Sequence, residues 1–123
     1  FAGDYVEAMW KMLQEEEPRD FVIATGQSHT VREFFEAAAE ALAMIISWRG
    51  KGLNEVAYDE SGKVILRINK NYYRPTEVDY LLGDSKKAFR ELGWKPKTSF
   101  KELVKMMVIH DLKSLSCLVE KAG

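Results

Sequence analysis

The sequence predicts an α+β fold, a small mixed domain of about four helices with short strands and a β-hairpin. Three observations predict it. Thr30-x-x-Glu33 and Ser99-x-x-Glu102 are capping boxes at the head of runs with helical period. Val64, Leu66 and Ile68 alternate with other residues behind a stretch of turn composition. Strand-like runs are too few for the regular β-α-β alternation of a complete nucleotide-binding fold. With 123 residues, 46% of them hydrophobic and 30% charged, one domain over residues 1–123 is expected.

Taken in order, Asp4–Glu16 reads as a helix with Asp4 as its N-cap, and Val6, Met9 and Leu13 with Tyr5 and Met12 at helical spacing. Trp10 lies off that stripe and suggests a second buried edge. Glu15–Glu17 followed by Pro18 stops the helix in a solvated acidic turn. Asp20–Thr25, a nearly continuous apolar run stopped by Gly26, reads as a buried strand. The Thr30–Glu33 box opens a helix to about Ala43, and Ile45–Arg49 reads as a second short strand. Residues 55–58 and 63–68 flank Asp59-Glu60-Ser61-Gly62 as a hairpin. Asp84 to Gly93 is a compact helix, with Asp84 as N-cap and Gly93 at the left-handed terminating position. Ser99 opens the longest helix, expected to fray from Ser116.

The composition excludes several classes of function. Eighteen basic and 19 acidic residues leave a formal charge of −1, so no global field gathers nucleic acid or anionic membrane. A single cysteine, Cys117, permits no intramolecular disulfide, and a cytoplasmic location is the natural expectation. No apolar run approaches the length that spans a bilayer, and no basic-then-apolar signal opens the chain. A chain that starts at Phe1, directly before a helical pattern, suggests a piece of something longer.

Catalytic sets are nearly missing. His29 and His110 stand far apart without a metal-ligand spacing, and no G-x-S-x-G elbow or C-x-x-C is present. Catalytic and metal residues are therefore expected to be none. Gly50-Lys51-Gly52 is a flexible loop rather than a phosphate loop, which would need more glycines and a Lys-Ser/Thr pair. What remains is Arg74 and Glu77. Pro75 holds Arg74 extended, and a guanidinium presents a planar fork of donors to phosphate oxygens. Glu77 suits sugar hydroxyls. The alternative is a surface ion pair worth less than about 1 kcal/mol.

The chain resembles the C-terminal part of the GDP-mannose 4,6-dehydratases, extended short-chain dehydrogenase/reductase enzymes that modify nucleotide sugars. DYVEAMWKMLQ (4–14), DFVIATG (20–26), HTVREF (29–34), GLNEV (52–56), YYRPTEVDYLLGD (72–84) and ELGWKPKTSFKELVKMMV (91–108) carry the resemblance, in family order. It implies a substrate-binding portion whose Rossmann half, with NADP and the catalytic groups, is not in these residues. It also implies that Arg74 contacts the GDP diphosphate and Glu77 the ribose. No cofactor is then expected in this chain. Its partners would be a GDP-sugar, the Rossmann half if supplied and further copies of itself, with no nucleic acid and no membrane. The isolated chain is expected to be inactive. A non-enzymatic binding or oligomerisation module, or the equivalent part of another nucleotide-sugar epimerase or dehydratase, are the alternatives.

Overall fold

The computed structural model describes residues 1–72 and 81–122, with side chains described as far as Leu115. The chain forms two compact units, residues 1–29 with 79–103 and residues 30–78 with 104–123. Among the described residues, four α-helices and one three-stranded antiparallel sheet make the α+β fold the sequence predicts.

The first unit holds α1 (Ala2–Met12) and α3 (Lys86–Leu92). Its core is Ala8, Ala88, Leu92 and Trp94, with Met12, Phe21 and Ile23 packed against it. Two alanines at the meeting point let the helices approach closely. Trp94 is 1% exposed, takes Tyr5 edge-on at 6.2 Å, and donates its indole N–H to the Asp4 carbonyl at 2.8 Å. Lys11 closes the other side by donating to the Leu92 carbonyl at 3.1 Å.

Three expectations are corrected here. Phe1, not Asp4, stands at the N-cap of α1. Asp4 lies inside the first turn, 6% exposed, and accepts from the amides of Lys97 (3.2 Å) and Thr98 (3.0 Å). Of the apolar residues expected to be buried, Tyr5 and Met12 turn toward the core, whereas Val6, Met9 and Leu13, with Trp10 beside them, face outward, because the helix packs through its small Ala8 side. The Asp20–Thr25 run joins no ladder among the described residues, although Phe21 and Ile23 still turn inward.

Helix α3 starts one position later than expected. Ser85 is its N-cap, while Asp84 accepts from the Lys86 amide at 2.9 Å. Gly93 ends it at φ 60, in the left-handed region that glycine adopts without steric cost.

The second unit contains α2 (Val31–Ala41), β1 (Ile46–Arg49), β2 (Val56–Asp59) and β3 (Val64–Arg67). Both arms of the Thr30–Glu33 box form, at 3.1 and 2.9 Å. The sheet order is β1-β2-β3, with Trp48 opposite Ala57 and Ala57 opposite Leu66. The hairpin turn is built on Asp59, whose carboxylate accepts from the amides of Ser61 and Lys63, both at 2.9 Å. Helix α4 (Phe100–Ala122) begins with the second capping box, in which the Ser99 amide donates to Glu102 at 2.8 Å. Its first turn belongs to the first unit, and its helical backbone runs to Ala122.

Trp48 is the anchor between α2 and the sheet. Its ring carries the Arg32 guanidinium at 4.1 Å, meets Phe35 edge-on at 5.7 Å, and donates its N–H to Glu36 at 2.9 Å. Arg32 also pairs with Glu55 just before β2. Trp48→Ala is expected to cost about 2–3 kcal/mol, less than a fully buried tryptophan because Trp48 is only half-buried. Urea unfolding followed by circular dichroism measures it, and a loss below about 0.5 kcal/mol would show that the ring does not hold the helix to the sheet.

Candidate functional site

The two residues the sequence singles out, Arg74 and Glu77, lie outside the described residues. What the structure describes are the flanks. On the near side β3 runs into Asn69, whose side chain accepts from the Asn71 amide at 2.9 Å and tightens a 3-10 turn over Lys70–Tyr72. Tyr72 is exposed at the end of that turn, which suits a surface position more than a packed general acid or base. On the far side Gly83 rests on the apolar segment 22–24, where a Cβ would collide with the Ala24 methyl.

The remaining chemistry-bearing residues fall into separate structural roles. His29 stacks on Phe100 with centroids 3.8 Å apart and planes 11° apart. Together with Thr25, Gln27, Lys97 and Ser99 these rings border a cleft of about 280 Å³. Lys97 is held by Glu7 at 2.5 Å, and that carboxylate raises its pKa. His110 is exposed on α4 with Asp111 at 3.3 Å. Of the acidic run, Glu15 pairs with Arg19, which reaches on to Glu91 at 3.3 Å. Among the described residues no three His, Cys, Asp or Glu side chains are grouped to hold a metal ion.

The perturbed carboxylates also have local explanations. The Thr98 amide, helped by that of Lys97, holds Asp4 below the ordinary aspartate value. The Ser61 hydroxyl does the same for Asp59, the Lys86 amide for Asp84, Arg90 for Glu91 and the Ser99 hydroxyl for Glu102. Caps, turns, surface pairs and, for Asp4, the amides of residues 97 and 98 account for these shifts, so none marks an acid–base pair poised for catalysis.

The Gly50-Lys51-Gly52 loop does not have the geometry of a dinucleotide phosphate loop. Gly50 and Gly52 have φ of 90 and 56, but their loop leads to a short 3-10 turn over Gly52–Asn54 instead of a long helix. A Cβ at Gly50 would collide with the Asn54 carbonyl, so the loop closes on its own backbone and leaves no cradle for a phosphate.

Two arrangements carry no mark in the sequence reading. The clamp of Asp4 on residues 97 and 98 joins positions more than 90 apart and leaves no local pattern. The Arg32, Glu36 and Trp48 cluster had a partial signal, since Arg32 and Glu36 are four apart on one helix face.

Comparison with known proteins bears on the chain as a whole. The family model described as GDP-mannose 4,6 dehydratase matches residues 1–107. The GDP-mannose 4,6 dehydratase of Dictyostelium discoideum is 56% identical over 113 residues, covering 91% of this chain and 32% of the relative. The Drosophila melanogaster enzyme of that name is also 56% identical, over 91% of this chain and 29% of its own length. The Homo sapiens enzyme is 54% identical, over 91% and 30%. The chain thus spans about a third of the length of the curated relatives it matches. No helix among the described residues is long and apolar enough to cross a membrane.

Proposed function

Because the chain belongs to the GDP-mannose 4,6 dehydratase family, we propose that it forms the nucleotide-sugar-binding part of such an enzyme, with GDP-mannose as the substrate. The observation that carries this reading is the family match over residues 1–107, which includes the Arg74-Pro75-Thr76-Glu77 run. Arg74 is the grip on the diphosphate, where a bidentate guanidinium makes charge-assisted hydrogen bonds that a lysine would not reproduce. Glu77 accepts from the ribose hydroxyls. The well-formed hairpin and the Lys70–Tyr72 turn supply an ordered lead into this run.

The reaction that the resemblance implies converts GDP-mannose to GDP-4-dehydro-6-deoxy-mannose and requires a hydride acceptor, NADP in the family. The Gly50–Gly52 loop does not fit the phosphates of that cofactor, and no step through it is assigned to the residues of this chain. The role of this chain is to bind and orient the nucleotide end of the substrate. By itself it is expected to show no dehydratase turnover with GDP-mannose and NADP. The same reading treats the 123 residues as one functional domain of an oligomeric cytoplasmic enzyme.

Isothermal calorimetry tests the reading. GDP is expected to bind, with UDP weaker. Arg74→Ala is expected to weaken GDP about 10- to 100-fold, the worth of hydrogen bonds to a charged group. Equal affinity for GDP and UDP, or no change in Arg74→Ala, would count against it.

A further inference from the structure

In the second unit, the three-stranded sheet has one covered face and one charged face. Trp48, Ala57 and Leu66 lie in register across β1, β2 and β3, and on that side Trp48 meets Phe35 and Arg32 of α2. Arg49, Val56 and Arg67 form the next row across the three strands, so their side chains occupy the opposite face. Tyr58 shares that face, two residues along β2 from Val56. Both arginines are exposed, whereas Val56 and Tyr58 are half-buried.

The charges on this face are not balanced. The structure describes five arginines, and three of them pair with glutamates, Arg19 with Glu15, Arg32 with Glu55 and Arg90 with Glu91. The other two are Arg49 and Arg67, and among the described residues neither meets a carboxylate. They flank a single valine at two strand spacings, about 10 Å between their backbones. Arg49 is ordered by lying over the Tyr58 ring at 4.9 Å. Lys51 follows β1 and Lys70 follows β3, so two exposed lysines stand at the same end of the sheet as the arginines. Among the described residues of the sheet and its connections, the one carboxylate at that end is Glu55, which Arg32 draws to the α2 side. Asp59 and Glu60 lie at the far end, in the hairpin turn.

In a chain of formal charge −1, this concentration of cations is a local feature. Guanidinium forks match phosphate oxygens in bidentate geometry, and two forks on either side of a valine suit two phosphate groups of one ligand better than a single group. We propose that the Arg49-Val56-Arg67 face binds a soluble oligophosphate, a ligand of three or more linked phosphate groups. Each arginine holds a different phosphate, and Lys51 and Lys70 add charge at the rim. A membrane surface fits less well, because the row of Arg49, Val56 and Arg67 offers no large apolar side chain to insert among lipids. Edge strands also carry charge to discourage pairing with another sheet, and β1 and β3 are the edges here. That role needs no ligand, and the test separates the two. The inference goes beyond the nucleotide-binding reading and rests on neither Arg74 nor Glu77.

The test titrates sodium tripolyphosphate into the 123-residue chain at low ionic strength and follows the arginine side-chain Nε–H signals by NMR. The Arg49 and Arg67 signals are expected to move together and to saturate. Orthophosphate is expected to bind at least about 10-fold more weakly, since it engages one fork at a time. Arg49→Gln and Arg67→Gln should each weaken tripolyphosphate about 10- to 100-fold, with the fold retained by circular dichroism. Absence of saturable movement at the two arginines overturns the proposal. So does citrate binding as tightly as tripolyphosphate, which would mark a cationic patch without preference for phosphate. Binding that survives both glutamine substitutions and is lost in Arg74→Ala belongs to the nucleotide run and overturns it. An unshifted wild type beside a double glutamine variant that self-associates in light scattering assigns the arginines to guarding the edges, and overturns it. Sedimentation with phosphatidic acid vesicles through these arginines, without movement on tripolyphosphate, assigns the face to a membrane and overturns it as well. Equal affinity for GDP and UDP, which counts against the nucleotide reading, leaves each of these results unchanged, so the two readings fail separately.

Discussion

Trp94→Ala is expected to remove about 3–5 kcal/mol of stability, the range for deleting a large buried aromatic. Trp94 is the largest side chain in the core of the first unit and is nearly inaccessible to solvent. Its removal opens a cavity between Ala8 on α1 and Ala88 and Leu92 on α3, and none of these neighbours is large enough to fill it. A domain of this size has about 5–15 kcal/mol in total, so the variant stands near the edge of folding. Trp94→Phe separates packing from hydrogen bonding. It retains most of the ring and loses the N–H donated to the Asp4 carbonyl, an oxygen that the helical ladder still serves. Urea unfolding monitored by circular dichroism should therefore rank wild type above Phe and Phe well above Ala. Equal losses in the two variants would show that the hydrogen bond, not the ring volume, holds this core.

The second large effect concerns acid. Asp4 accepts two amide hydrogen bonds, from Lys97 and Thr98, in a nearly closed position, and these lower its pKa. The charge of the amino terminus adds to the lowering, while burial opposes it. A carboxylate whose folded pKa lies below its unfolded value contributes stability that is fully present above the unfolded value. That contribution is lost as pH falls through the folded value. Asp4→Asn keeps the shape and removes the titration. Its unfolding free energy is expected to be lower than wild type at pH 7, and the difference should close as pH is taken below the ordinary aspartate range. The acid slope should shrink without vanishing, because Asp59, Asp84, Glu91 and Glu102 are lowered in the same direction. Chemical denaturation at a series of pH values reads both. A difference that stays constant from neutral pH down to pH values below that range would assign the loss to packing rather than to charge.

Both effects meet where α1 and the 94–98 loop join, and that junction shows how function relates to fold in this chain. The Asp4 carboxylate and the Trp94 indole tie the first helix to the segment leading into α4. The residues proposed to bind the nucleotide lie elsewhere in the chain, between the hairpin and α3. Neither variant replaces Arg74 or Glu77, so GDP affinity in each is to be read beside its folding.

What the sequence determined by itself is local. The two capping boxes, the hairpin around Asp59-Glu60-Ser61-Gly62 and the left-handed Gly93 are legible because the interacting residues lie within four positions of each other. Membership of the family is legible for another reason, since it rests on runs of identical residues and not on packing. The tertiary structure alone decided which face of α1 is buried. Period marks Tyr5 and Met12 together with Val6, Met9 and Leu13 as apolar, and only the closeness of α3 selects the Ala8 and Met12 side for burial. It also moved Asp4 from a cap to a clamp, because its partners arrive from more than 90 residues away. The same distinction governs residues 20–25. Composition marks them as a strand, but a ladder is a property of two segments, and no described segment of this chain supplies the second.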